Sequence, residues 1–201
     1  MLTSTSLTMP PEHKTDVLII GSGSAGLMAA LWLSIYKIPF TLLEARSGPL
    51  EKGQADGVQV RTVEIYESFG IAEEVLREAF HILEVAFWHE EKGNLVRKSR
   101  APDIEKGLSH MPHVILNQAR MNGLVLGEVR KRRGGDLGIE YGVRVLGVEV
   151  DEGAAGDPES YCVKATAERE GREEVWRAKY VLVSFPCIYL WRKHTAWVPM
   201  Q

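Results

Sequence analysis

Cysteine is nearly absent: Cys162 and Cys187 are the only two in 201 residues, too few for a disulfide framework and without the C-x-x-C spacing of a zinc or redox site. The scarcity points to a reducing compartment, and a cytoplasmic location is expected. Long hydrophobic runs are missing too. The longest, Ala25 to Tyr36, is interrupted by Ser34 and falls well short of the roughly 20 apolar residues a bilayer demands. The first ten residues lack a charged segment followed by an apolar one, so no secretion signal or membrane partner is expected. Nor is there an excess of positive charge: 24 Lys plus Arg against 27 Asp plus Glu leave a net charge of -3, which supplies no field for a nucleic-acid backbone. His81, His89, His110 and His113 are scattered, with no carboxylate or cysteine at ligand spacing, and no metal is expected. Ser22 and Ser24 lack the G-x-S-x-G elbow of a hydrolase.

What is present, 45% hydrophobic and 25% charged residues, is the balance of a soluble globular protein of one domain or slightly more, and the order of the elements below makes it α/β. Residues 1–13 are largely Ser, Thr and Pro and read as a flexible lead-in, with order beginning near Lys14. Val17-Leu18-Ile19-Ile20 suits a strand buried on both faces of a parallel sheet. A Gly-rich turn, a helix over Ala25–Tyr36 and a second strand at Phe40–Leu43 complete a βαβ unit. Ser47–Gly57 reads as a long functional loop. Short helices follow at Val60–Phe69 and Ile71–Ala79. Next come a hairpin with arms His81–His89 and Leu95–Lys98, a strand at Val114–Leu116 and a helix over Gln118–Arg132. Strands Gly142–Val150, Tyr161–Arg169 and Val175–Ser184 close the pattern, the last two joined by a turn at Glu170-Gly171-Arg172. Arg130-Lys131-Arg132-Arg133 suits the negative end of a helix better than a nucleic-acid patch. Trp88 reads as core or interface.

Gly21-Ser22-Gly23-Ser24-Ala25-Gly26 is G-x-G-x-x-G between a buried strand and a helix, the context in which that motif carries meaning. Gly21 permits the tight turn, Gly23 lets backbone N–H groups reach a pyrophosphate, and Gly26 allows close helix-to-strand contact; the diphosphate sits at the helix start, over Ser24 and Ala25. Eighteen residues beyond Gly26, Glu44 closes the second strand. A carboxylate there accepts hydrogen bonds from ribose hydroxyls and repels the 2′-phosphate of NADP. FAD or NAD fits this site; NADP does not.

Asp16 through Leu27, Glu44-Ala45-Arg46, Gly53-Gln54-Ala55-Asp56-Gly57 and Arg61-Thr62-Val63-Glu64 together resemble the FAD-dependent aromatic-ring hydroxylases, most closely the phenol 2-monooxygenase branch. The resemblance implies a Rossmann-like FAD-binding domain with a central parallel sheet and an antiparallel addition. It implies that Arg46 approaches the FAD diphosphate, and that Gln118, in Asn117-Gln118-Ala119-Arg120, contacts FAD. It also implies that Lys52 to Gly57 line the flavin, with Gln54, Ala55 and Gly57 touching it and Asp56 in the active site. Family chemistry assigns Asp56 to deprotonate or hold a phenol hydroxyl, so that the electron-rich ring attacks a flavin C4a-hydroperoxide and is hydroxylated ortho to that hydroxyl. NADPH is the transient reductant, and oxygen and a small phenol are the substrates; a homodimer is compatible with the full-length family members.

The likeness runs from about Asp16 to Leu182, giving an FAD-binding part over 14–182 and a tail over 183–201 without the family pattern. The expectation is a truncated form of the enzyme, in which much of the flavin enclosure is absent and FAD binding is weak. The alternative to a monooxygenase is therefore a catalytically inactive dinucleotide-binding fragment. A prenyl-protein escort of the Rab dissociation-inhibitor type shares the Gly-rich fold but not the G-Q-A-D-G loop.

Overall fold

A computed structural model describes residues 10–53 and 55–184, and Gln54 and the segments 1–9 and 185–201 lie outside the described residues. The chain divides into two units, one of residues 1–49 and 129–201 and the other of residues 50–128.

The first unit is built on a six-stranded sheet. Its first strand, β1 (Glu12–Ile20), carries Leu18, Ile19 and Ile20, all buried, as expected of a strand covered on both faces. It leads into α1 (Ser24–Ile35), which buries Gly26, Leu27, Ala30, Leu31 and Ser34. The spacing places these residues on one helical stripe. Tyr36 caps the helix, Lys37 takes a left-handed φ of 56°, and the chain returns as β2 (Phe40–Glu44). The βαβ unit is therefore formed as anticipated. The start of β1 is not: Glu12 and His13 already pair with Val175 and Trp176. His13 also stacks on Trp176 with ring centroids 4.2 Å apart. The expected onset near Lys14 is late because apolar content alone gives no sign of pairing at the amino end of this strand.

The remaining strands of this unit are β8 (Ile139–Tyr141), β9 (Val143–Val150), β10 (Val163–Arg169) and β11 (Arg172–Val183), in the order β8-β2-β1-β11-β10-β9. β8, β2, β1 and β11 run parallel, whereas β11, β10 and β9 are antiparallel. Leu18, Leu43, Val143, Val163, Ala165, Ala167, Trp176 and Ala178 form the core cluster. The carboxyl ends of β1, β2, β8 and β11 thus lie along one edge of the sheet, the edge where open α/β sheets bind their ligands. Val183 completes the ladder opposite Ile20, and Ser184 donates from its backbone N–H to the Ile20 carbonyl at 3.0 Å. Val183 and Ser184, expected to open a tail without the family pattern, are thereby part of that edge.

The second unit holds a three-stranded sheet of β3 (Gly57–Val58), β4 (Phe80–Ile82) and β7 (His113–Ile115), in the order β3-β7-β4. Helices α2 (Val60–Phe69) and α3 (Ala72–Glu78) are separated at Gly70, as expected. A two-stranded ribbon, β5 (Glu84–Glu91) and β6 (Asn94–Pro102), turns at Lys92-Gly93 with φ of 51° and 82°, the double left-handed turn that matches strand twist. His81 was anticipated in this ribbon but pairs with Val114 in the three-stranded sheet. Trp88 does not belong to the core: it is exposed on the ribbon with the Arg97 guanidinium 6.0 Å from its ring. The unit boundary falls inside α4 (Gln118–Arg132).

Candidate functional site

In the first unit the Gly-rich turn follows β1 directly. Gly21 has φ 96°, a conformation that side chains disfavour. A Cβ at Gly26 would lie 2.0 Å from the Gly21 carbonyl oxygen, so only glycine lets α1 approach the turn. A Cβ at Gly23 would meet nothing within 4 Å. That open ground lies at the amino end of α1, whose N-cap Gly23 has no side chain to cap it and whose first turn, starting at Ser24 and Ala25, contains no acid. The positive end of the helix dipole is left for an external anion to balance.

Glu44, at the carboxyl end of β2, reaches back to this turn. Its Oε2 accepts from the Ser22 backbone N–H at 2.8 Å, the Ser22 hydroxyl at 2.7 Å and Arg46 Nη2 at 3.0 Å. Its Oε1 accepts from the Arg46 backbone N–H at 2.9 Å and Nε at 3.1 Å. Burial alone would raise the Glu44 carboxyl, but the hydrogen bonds from Arg46 and then Ser22 outweigh it and hold the group at about 2. It is a permanent anion at neutral pH, as the ribose role requires. Arg46 points at this acid and at the Ser22 hydroxyl, 3.0 Å from Nη2.

In the second unit the backbone of the Gly53–Gly57 loop is fastened to the start of α4. Gln118 N–H donates to the Ala55 carbonyl at 3.0 Å and Leu116 N–H to the Asp56 carbonyl at 2.8 Å. Asn117 Oδ1 accepts from the Ala119 N–H at 2.9 Å and caps the helix. A Cβ at Gly53 would come within 2.8 Å of the Gln118 nitrogen. The structure thus brings Ala55, Asp56, Gly57 and Gln118 together, with Ala55, Asp56 and Gly57 exposed. The expectation for Gln54 falls outside the described residues.

Ser22 and Tyr141 were not anticipated. Ser22 occupies a variable position of the glycine motif, and only its buried hydroxyl, bonded to Glu44, reveals a role. Tyr141 stands opposite Glu44 in the β2–β8 ladder, and its hydroxyl is buried without a hydrogen-bond partner. Gly53 opens the G-Q-A-D-G motif, so its signal was present in the sequence. His113 and His110 each meet one carboxylate, Asp103 at 2.9 Å and Glu67 at 2.8 Å. Among the described residues no three or more His, Cys, Asp or Glu side chains gather to hold a metal, and no helix is long and apolar enough to cross a membrane.

A family model described as an FAD binding domain matches residues 14–183. The chain belongs to this FAD binding domain family. Its curated relatives include the FAD-dependent monooxygenase terD of Aspergillus terreus, 53% identical over 86% of this chain and 28% of the relative. Another is the 3-hydroxybenzoate 4-monooxygenase of Comamonas testosteroni, 40% identical over 84% of this chain and 27% of that protein. The crystal structure of the flavin-dependent monooxygenase PieE in complex with FAD and substrate superposes with a TM-score of 0.69 at 25% identity, over 85% of this chain and 30% of PieE. The chain thus spans under a third of the length of these relatives. The phenol 2-monooxygenase fsqG of Aspergillus fumigatus, the name of the branch to which the motifs pointed, is also a relative, but at 27% identity over 83% of this chain and 27% of that protein, so the resemblance stands at the level of FAD-dependent monooxygenases with aromatic hydroxylases among them.

The residues fit FAD. Glycine supplies open ground at Gly23, the helix end lacks an anion, and an ionised carboxylate stands at the turn. The buried Tyr141 hydroxyl, on the residue paired with Glu44, has no hydrogen-bond partner.

Proposed function

We propose that this chain is the cofactor-binding portion of an FAD-dependent monooxygenase that hydroxylates a small phenol next to its existing hydroxyl, using NADPH and oxygen, in the cytoplasm. The reading is carried by the contact of Glu44 Oε2 with the Ser22 backbone N–H at 2.8 Å, which sets a ribose acceptor against a diphosphate-binding turn. Gly21, Gly23, Ser24, Ala25 and Gly26 take the diphosphate, Glu44 the ribose hydroxyls, and Arg46 adds positive charge for the phosphates. Ala55, Gly57, Gln54 and Gln118 contact the flavin portion. FAD, when bound, supplies the electrons and the activated oxygen.

Asp56 accepts the proton of the phenol hydroxyl, or holds it in a hydrogen bond, and thereby enriches the ring in electrons. Its exposed side chain and backbone-anchored loop suit a group that meets a substrate. The name of the Comamonas relative supports the regiochemistry, since position 4 of 3-hydroxybenzoate adjoins the hydroxyl-bearing position. For the chain by itself, binding without turnover is the reading favoured by its span of 28% of the terD relative.

The test is to titrate FAD into the purified 201-residue chain and follow flavin fluorescence and the visible spectrum. Saturable quenching that ADP competes away supports the reading, and absence of binding refutes it. In a longer protein containing this sequence, Asp56→Asn is expected to retain FAD while losing phenol-dependent NADPH oxidation by roughly 100-fold or more. Retention of full turnover in that variant would remove Asp56 from its role.

A further inference from the structure

Tyr141 ends β8, parallel to β2 and paired directly with Glu44. Neighbouring strands lie about 5 Å apart and paired residues share a face of the sheet, so the phenol ring and the acid are side by side. The charges that act on the phenol are those of Glu44, Arg46 and Arg130. Among the buried side-chain polar atoms of Ser22, Glu44 and Tyr141, only the Tyr141 hydroxyl lacks a partner. Ser22 and Arg46 are both bonded to Glu44, whereas the Tyr141 hydroxyl is shielded from solvent and bonded to nothing. Folded proteins pair nearly all such groups. The exception lies on the sheet edge where nucleotides bind.

We propose that Tyr141 is a cofactor-binding residue, whose hydroxyl donates a hydrogen bond to a ribose hydroxyl of the FAD adenosine while that ribose donates to Glu44. The inference rests on the adenosine site described above. The resulting order, phenol to sugar to carboxylate, aligns three dipoles toward the one fixed negative charge, so each bond strengthens the next. Burial, and secondarily the Glu44 charge, raise the Tyr141 phenol and keep it a donor throughout the working range. Arg46 holds the Glu44 carboxylate through Nε and Nη2. Its side chain is 38% exposed, against 8% for Glu44, so it is the member of the pair free to turn outward. Its departure frees acceptor sites on the carboxylate, and a diphosphate offers the guanidinium an alternative anion.

The experiment compares the 201-residue chain with Tyr141→Phe, using ADP, 2′-deoxy-ADP and 3′-deoxy-ADP as calorimetric probes and a thermal melt without nucleotide. The variant is expected to melt at the same temperature or higher, because it loses an unpaired buried hydroxyl. It is expected to bind ADP about 2- to 10-fold more weakly, the effect of one neutral hydrogen bond. The penalty vanishes with whichever deoxy analogue lacks the contacted hydroxyl. Equal ADP affinity in the two proteins, or a penalty that survives with both analogues, overturns the assignment. A lower melting temperature with unchanged affinity also overturns it, by giving the hydroxyl a purely structural partner. Failure of the unmodified chain to bind ADP overturns the adenosine site itself, an outcome distinct from a silent Tyr141→Phe.

Discussion

Replacing Glu44 by Gln preserves shape and removes the charge on which the turn is organised. The carboxylate accepts five hydrogen bonds from Ser22 and Arg46. An amide accepts at one oxygen only, so its NH2 is set against at least one N–H or guanidinium donor. In the folded chain the group is held at about 2, against 4.5 ordinarily. That difference corresponds to about 3 kcal/mol of folding stability. The folded state binds this proton less readily than the unfolded one, so the contribution is complete above pH 4.5 and is lost as pH falls through about 2. Glu44→Gln is therefore expected to cost about 2–3 kcal/mol near neutral pH, the lower figure reflecting the partly exposed Arg46. Urea unfolding of both proteins at a series of pH values measures it. The gap between the two curves is expected to shrink steadily toward acid, and the subtraction cancels the other carboxylates. A gap that stays constant from neutral pH to about pH 2.5, or widens, would refute this account of Glu44.

Three glycines give sharper structural tests. Gly23→Ala places a methyl in open ground at φ -69°, so the fold is expected to keep its melting temperature while ADP affinity falls by tenfold or more as the methyl occupies diphosphate space. Gly26→Ala sets a methyl 2.0 Å from a backbone oxygen, and a loss exceeding about 3 kcal/mol or outright failure to fold is expected by circular dichroism. Gly53→Ala crowds the Gln118 nitrogen at 2.8 Å, a cost of about 1–3 kcal/mol, with faster amide exchange at Leu116 and Gln118 as the local readout.

The βαβ unit was legible because it is decided locally. A buried run, three glycines and an acid at the end of the next strand specify their own neighbourhood over some thirty residues. The short strands were not. β3, β4 and β8 have two or three residues each, and their pairing depends on partners far away in the chain, such as Gly57 with Ile115 or Glu44 with Tyr141. No periodicity can be read from so few positions. The same limit hid two members of the site. The glycine motif accepts many residues where Ser22 stands, and Tyr141 is unremarkable until the register of β8 sets it beside the acid. Asp56 differs again: its motif was visible, whereas the anchoring of its loop through the Ala55 and Asp56 carbonyls is a backbone property that side-chain identity does not encode.

The ribbon of β5 and β6 has only one ladder, each strand pairing solely with the other among the described residues. Phe87, Trp88 and Leu95 are 60%, 58% and 75% exposed along it. Two strands alone are marginally stable in water, and both flanks offer unsatisfied main-chain groups to any extended polypeptide that approaches. The ribbon therefore combines open main-chain flanks with exposed apolar side chains, and a charge introduced at Leu95 is expected to raise the concentration at which the protein stays in solution while leaving the glycine turn untouched.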